Sequence, residues 1–412
     1  MRSEIITGLD LGSTAVRVVV GQRDQNGAPR IIAAVEMPSE GVCRGTITSV
    51  EGATSSVASA LEAAERITGV PIERVWVGIS GDHIIFQKSR GVVAVSKPNG
   101  EIDEGDVLRA VEASRAVATP PNFEILHVIP RDFSIDNQVN IRDPLGMSGV
   151  RLEVETQIIQ GLSSHIKNLT KCIYRTGIDI EDVVFSILAA AEAVCTDRQK
   201  ELGVAVANIG RASTELAVFE GGDVMHTAFL PIGGDYITSD VAIGLRTSLD
   251  AAERIKLEHG TALSKEVSKK DEINLGDFEP NENTLISKKY VAEIIEARVE
   301  EIFEKIDNEL KKIGRSGLLP SGVVLIGSTA KLPGILEVAK RRLRLPVSLG
   351  FPQRVATVVD KVNDISFVPA LGLVLWGNAV YDEKGGDGFM SRFKSIDKVT
   401  SQVKKWFKSL MP

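Results

Sequence analysis

L-D-L-G-S-T-A-V-R-V-V-V, from Leu9 to Val20, and A-N-I-G-R-A-S-T-E-L-A-V-F, from Ala207 to Phe219, carry one pattern. Each joins two apolar runs through a short segment of glycine and hydroxyl residues, which reads as strand, tight turn, strand. Asn208 follows Asp10, and Gly210 follows Gly12, by the same 198 residues. The turns have the composition of a phosphate clasp. Gly12 and Gly210 let the backbone approach oxygen atoms closely, and successive N–H groups there form a concavity for anions. Ser13, Thr14, Ser213 and Thr214 add hydroxyl donors. Asp10, at the end of its strand, is placed to hold Mg²⁺ through water, because that ion keeps several waters and takes one or two carboxylates.

Three further pieces belong with the clasps. In Ala252-Glu253-Arg254-Ile255-Lys256, Glu253 and Lys256 are three apart and share a helix face. They either bracket a base or ribose or form a solvated pair. Val323 to Gly334, V-V-L-I-G-S-T-A-K-L-P-G, takes a strand into the turn Gly327-Ser328-Thr329 and on to a helix beyond Pro333. Backbone N–H groups at such a helix entry can meet an adenosine. Gly233-Gly234-Asp235, after Leu230-Pro231, is one more turn built for close approach. Taken singly, each is more often an ordinary turn or surface pair. In this order along one chain they point to a nucleotide held between two lobes.

Strand and helix runs interleave through the rest of the chain, so the class is α/β. Residues 51–68 carry Val57, Leu61, Ala64 and Ile67 at helical spacing and stop at Gly69. Val75–Ile79 is a buried-strand run, Ile84–Val95 reads as a pair of strands, and Asp103–Val117 as a helix before Pro120-Pro121. His127–Pro130 and Val150–Gln160 are further strands, and Ile187–Val194 is an apolar helix. Residues 264–289 are polar and read as a surface excursion, and Val291 to Ile313 form a long amphipathic helix.

The 412 residues suit two or three domains. A net charge of −7 argues against a general nucleic-acid binder. Cys43, Cys172 and Cys195 form no C-x-x-C pair, the five histidines have no metal-ligand spacing, and a reducing cytosol fits. The first residues have no signal-peptide core, and the apolar runs Val183–Cys195 and Phe367–Val380 are interrupted and too short to cross a bilayer. A cytoplasmic protein is expected. The end of the chain differs from the body: from Lys384 onward there are seven basic and two acidic residues, net +5, leaving −12 for the first 383. On a helix, Val403, Trp406, Phe407, Leu410 and Met411 make one apolar stripe, with Lys404, Lys405 and Lys408 on the other face. That is the pattern of a helix lying in an anionic membrane surface. The alternatives are docking on the protein's own core or in a partner's groove. The polar, glycine-rich stretch Asp382–Gly388 favours a free helix.

The order of these pieces resembles the actin, heat-shock-70 and sugar-kinase ATPase fold. More closely, the chain resembles the FtsA family of actin-like bacterial cell-division proteins. The resemblance rests also on Leu126–Pro130, Asp143–Leu152, Val77–Gly81 and Thr238-Ser239-Asp240, and it covers about residues 1–380. It implies an α/β actin-like ATPase fold of two lobes with a duplicated core and four subdomains, plus a C-terminal amphipathic helix. The implied divisions are 1–81, an inserted subdomain at 82–162, a return at 163–200, then 201–239, 240–312 and 313–381, a linker at 382–389 and a membrane-targeting helix at 390–412. It implies ATP or ADP with Mg²⁺ as cofactor, self-assembly into filaments, and binding of the FtsZ C-terminal peptide on about 240–312. It also implies contact with other division proteins and with anionic membrane, a peripheral place on the cytoplasmic face, and no nucleic-acid partner. Competing readings are a small-molecule kinase of this fold and the actin-like platform protein of type IV pilus assembly.

The chain departs from the family at the clasps. Asn208 stands where the family has Asp, Arg211 and Ala212 stand where it has a run of glycines, and Ser328-Thr329 stand where Gly is usual. Asn208 supplies no carboxylate charge, so Mg²⁺ binding is expected to be weakened. Arg211 either pairs with phosphate in the metal's place, since guanidinium matches phosphate geometry, or fills the pocket. Nucleotide binding is expected, efficient hydrolysis is not, and no catalytic residue is assigned.

Overall fold

The computed structural model describes residues 4–382 apart from 25–26, 117–119, 280–283, 354 and 358. The membrane-binding stripe, Val403 to Met411 with its lysines, therefore lies outside the described residues. Among those described, no helix is long and apolar enough to cross a membrane.

Two sheets share one plan. In the first lobe the strand order is Asp179–Phe185, Arg74–Ile79, Ile5–Leu11, Ala15–Arg23, Pro29–Pro38 and Ala356–Thr357. In the second it is Val347–Leu349, Val323–Ile326, Val204–Ile209, Thr214–Glu220 and Asp223–Leu230. Each opens with a three-strand antiparallel meander and continues from its first strand through parallel neighbours. The duplication extends to the irregularities. The ladder slips between Val20 and Gly21 in one sheet and between Val218 and Phe219 in the other, again 198 residues apart. The central strands read as unbroken apolar runs because both faces are covered, as in Val204-Ala205-Val206-Ala207.

Two helices lie between the lobes. Ser186–Val194 is buried almost throughout, and Val368–Asp382 packs across it and against Ile5–Leu11. Alanines and glycines allow the crossing: a Cβ on Gly372 would stand 2.1 Å from the Ala189 carbonyl oxygen. One continuous core joins the lobes through this layer, with Trp376, Phe185 and Phe367 among its largest members.

The segment after Ile79 leaves the first lobe and returns at Ser163. It builds a separate sheet in the order Ile84–Ala94, Arg151–Leu162, Phe123–Ile135, Gln138–Ile141, covered by the helix Glu104–Arg115. Its small core, which includes Val111, Val128, Phe133, Leu152 and Val154, is distinct from the main one. Ile84–Ala94 is one strand, not the pair expected. It pairs along its whole length with Arg151–Leu162, and Gly91 serves close packing there: a Cβ would stand 1.9 Å from the Ala110 carbonyl. The expected excursion at 264–289 also folds back. Glu272–Asn274 pairs with Leu285–Ser287, and Ile273, Leu275 and Phe278 are buried among its charges.

Candidate functional site

The two glycine turns meet end to end between the lobes. Gly12 donates its N–H to the Ala15 carbonyl at 3.1 Å, and Gly210 donates to the Ser213 carbonyl at 2.9 Å, so the loops close by the same bond. The hairpin registers are equivalent, Asp10 opposite Arg17 and Asn208 opposite Glu215. One cleft is lined by Asp10, Gly12, Ser13, Thr14, Asn208, Gly210, Arg211, Ser213, Gly327 and Ser328 from the sequence-expected set. It is also lined by Arg17, Ser80, Glu215 and Ser366, which the sequence reading did not single out. Carrying the 198-residue offset one strand further, from Arg17 to Glu215, would have found two of these.

The remaining expected residues form a layer behind the cleft. Gly233 packs flat on the second clasp: a Cβ there would stand 2.6 Å from the carbonyl oxygens of Gly210 and Arg211. Gly234 donates to the Gly210 carbonyl at 3.0 Å, and Thr329 reaches the same oxygen through its hydroxyl at 2.8 Å. Glu253 and Lys256 are not a solvated pair. Lys256 is 9% exposed, and its ammonium donates to Glu253 at 2.6 Å, the Thr238 hydroxyl at 2.8 Å and the Gly234 carbonyl at 3.3 Å. Burial pushes the Glu253 carboxyl up, but hydrogen bonds from Lys256 and Thr238 outweigh it and hold the carboxyl below its ordinary value. Thr214 departs from the expectation of a phosphate donor. Its side chain is buried, and its hydroxyl donates to the Ile232 carbonyl at 2.8 Å inside the lobe.

Arg211 does not plug the cleft. Its Nε donates to Asp235 at 2.6 Å, and both side chains are about half exposed, 50% and 42%. A bridge this exposed is weak and exchanges readily for another anion. At the cleft mouth Arg44 spans the lobes: its backbone N–H donates to Ser13 Oγ at 3.0 Å and its guanidinium to the Tyr236 hydroxyl at 3.2 Å. Arg298, anchored on Asp240, lies against the same ring, 5.5 Å from its centroid.

The cleft floor holds two carboxyls, the half-buried Asp10 and the buried Glu215. Burial raises that of Asp10, and the Arg17 guanidinium partly offsets the rise. Burial pushes the Glu215 carboxyl up to about 7, against hydrogen bonding from Ser80 and Asn208 that favours the anion, and the Asp10 charge adds to the rise. Glu215 Oε2 is buried without a hydrogen-bond partner. A hydrated divalent cation fits this donor set: two carboxyls whose proton affinity is raised by burial, one of them with an oxygen that has no hydrogen-bond partner.

Family models match the chain in two places, "Cell division protein FtsA" over residues 205–372 and "SHS2 domain inserted in FTSA" over residues 81–160. The cell division protein FtsA of Pseudomonas aeruginosa is 36% identical over 377 residues, covering 91% of this chain and 89% of that one. FtsA of Bacillus subtilis is 38% identical over 372 residues, covering 90% and 83%. Among solved structures, the PilM–PilN type IV pilus biogenesis complex matches with a TM-score of 0.65 at 17% identity, covering 90% of this chain and 98% of that one. ADP-bound MreB5 of Spiroplasma citri matches with a TM-score of 0.55 at 12% identity, covering 93% and 99%. At these identities the structural likenesses speak for the actin-like fold.

Proposed function

This chain belongs to the FtsA family of cell division proteins, and from that premise we propose that it is a nucleotide-binding, filament-forming adaptor that ties the FtsZ division ring to the cytoplasmic membrane. The observation that carries the nucleotide part is the apposition of two equivalent glycine hairpins across one cleft. Residues Gly12 to Thr14 of one hairpin and Gly210 to Ser213 of the other line that cleft, and turns of this kind suit an anionic phosphate chain. Asp10 holds the waters of a Mg²⁺ ion, whose charge offsets that of the phosphates. Arg211 leaves Asp235 to pair with phosphate, and the knot of Glu253, Lys256 and Thr238 backs the adenosine end together with Gly327, Ser328 and Thr329. The nucleotide serves assembly rather than rapid turnover, because position 208 carries no carboxylate.

The FtsZ tail peptide docks on residues 240–312. Ile243, Leu249, Leu257 and Tyr290 are exposed there, 76%, 60%, 72% and 45%, with Arg246, Lys288 and Lys289 close by in sequence. Apolar anchors beside basic residues suit a short amphipathic segment. Residues 390–412, by their sequence pattern, are the proposed membrane anchor. Each lysine near an anionic leaflet contributes on the order of 1 kcal/mol, so one tail binds reversibly. A filament presenting many tails holds firmly by effective concentration.

Co-sedimentation with anionic liposomes tests the anchor. The full chain pellets with the vesicles and a chain ending at Tyr381 does not; equal pelleting of both refutes the anchor. Calorimetric titration with ATP tests the cleft, and no heat with or without Mg²⁺ refutes nucleotide binding. Ile243→Glu abolishes binding of an FtsZ tail peptide if the docking face is right, and unchanged affinity refutes it.

A further inference from the structure

Given the nucleotide cleft and the peptide face proposed above, we infer that the two ligands tighten each other's binding, through the helix Gly234–Leu245 and a Tyr236 ring held by one arginine from each lobe. The helix runs from one site to the other. Its first turn is fastened to the second clasp: Gly234 donates its N–H to the Gly210 carbonyl at 3.0 Å, and Asp235 donates to the Arg211 carbonyl at 2.8 Å. Its last turn carries Ile243, which is exposed. Between them, Asp240 accepts from Arg298 of the neighbouring helix Lys288–Lys312 at 2.5 and 2.9 Å. One turn on, the helices lie so close that a Cβ on Gly244 would stand 2.5 Å from Ile294 and 3.6 Å from the Tyr290 hydroxyl. The seam that bears Ile243 and Tyr290 is therefore set by how these two helices sit together.

Tyr236, in the first turn, is where the first lobe reaches this pair. The Arg298 guanidinium carbon lies 5.5 Å from its ring centroid and that of Arg44 lies 6.0 Å away, and Arg44 also donates to the hydroxyl at 3.2 Å. A ring shared by two guanidiniums ties the three groups together. The Arg44 backbone is in turn fixed to the first clasp. It forms a two-residue hairpin turn with Gly45, at φ 48° and 74°, a left-handed conformation that a long side chain adopts only where its surroundings hold it. Here the Arg44 N–H donates to Ser13 Oγ at 3.0 Å, and a Cβ on Gly45 would meet the Ser80 carbonyl oxygen at 2.3 Å. Phosphates that draw the clasps together keep Arg44 on Tyr236. Tyr236 then keeps Arg298 and the helix seam in the arrangement that receives the peptide, which lowers the ordering cost of docking. When the lobes part, Arg44 withdraws with Ser13 and the seam loses that support. Peptide on the seam favours the closed cleft to the same degree, because coupling between two binding sites is reciprocal.

Fluorescence anisotropy with a labelled FtsZ tail peptide, titrated with the full chain with and without saturating ADP and Mg²⁺, reads the coupling. In wild type, ADP tightens peptide binding at least about fivefold, and peptide tightens ADP binding by the same factor in calorimetry. Arg44→Ala brings both factors to about one. Arg44 is exposed, so its truncation leaves the core intact. Tyr236→Leu also brings the factors to about one, whatever it does to either affinity alone; a merely structural role would shift an affinity and leave the factor in place. If both ligands bind wild type and neither changes the other's affinity, or if the factor survives in Arg44→Ala, the coupling is overturned while the functional reading stands. If ADP or the peptide fails to bind wild type at all, the functional reading falls and the coupling with it.

Discussion

Replacing Glu215 by Gln should stabilise the protein in metal-free buffer, increasingly as pH rises. The Glu215 carboxyl stands at about 7 in the fold against an ordinary 4.5, chiefly because it is buried. A folded value raised in this way means the native state keeps its proton to higher pH than the unfolded chain. No penalty exists below the unfolded value. The penalty grows through the window between pH 4.5 and 7 and is complete above it. At 1.36 kcal/mol per pH unit the full penalty is about 3 kcal/mol. Gln has the same shape and no charge, so it removes the penalty without opening a cavity. The other charged groups facing the site are Asp10, Arg17 and Arg211. The two arginines are bonded to Glu36 and Asp235, and removing the Glu215 charge relieves Asp10 as well. Urea unfolding with EDTA, followed by circular dichroism at pH 5, 6, 7 and 8, reads the effect. The variant's midpoint should lie close to wild type at pH 5 and well above it at pH 8. A constant separation across the range would refute the claim that an ionising carboxyl in a dry cleft is the cause.

Three other outcomes follow from the geometry. Gly233→Ala drives a methyl group into the carbonyls of Gly210 and Arg211, 2.6 Å away, which should cost about 1–3 kcal/mol by overpacking and lower nucleotide affinity in the same calorimetric titration. Tyr236→Phe removes the hydroxyl that Arg44 donates to across the cleft mouth; at about 1 kcal/mol for one hydrogen bond, release of a fluorescent nucleotide should speed up about fivefold in stopped-flow traces. Arg142 bridges the inserted subdomain to Glu201 of the second lobe at 3.0 Å, but the side chains are 56% and 49% exposed. Arg142→Leu should therefore lower stability by under about 1 kcal/mol, a loss that disappears in calorimetry at high salt.

The clasps were legible in sequence because their signal is local. Glycine and hydroxyl residues between apolar runs specify a turn from nearest neighbours alone, and repetition at a fixed offset exposes the duplication that sets the fold. Val57, Leu61 and Ala64 likewise fall on a buried face by helical spacing alone, whereas Ile67 of the same series is exposed. Other features depended on what lies opposite in space. Ile84–Val95 reads as a pair of strands in sequence, whereas Ile84–Ala94 is one strand whose Gly91 packs on the Ala110 backbone. The charged stretch after Ser264 concealed Phe278, which packs against His259 at 5.6 Å and under Arg254 at 4.9 Å. Glu253 and Lys256 matched a surface pair in spacing, yet Thr238 and Gly234 enclose them.

Residue types and their spacing were enough to determine an α/β chain with two equivalent glycine turns, since these depend on backbone conformation and on which face is apolar. Only the tertiary structure decided that Thr214 looks into its lobe and that Glu215 looks into the cleft. Desolvation, and with it the proton affinity and the unsatisfied oxygen of Glu215, is produced by atoms that lie far from it along the chain, and no local pattern encodes it.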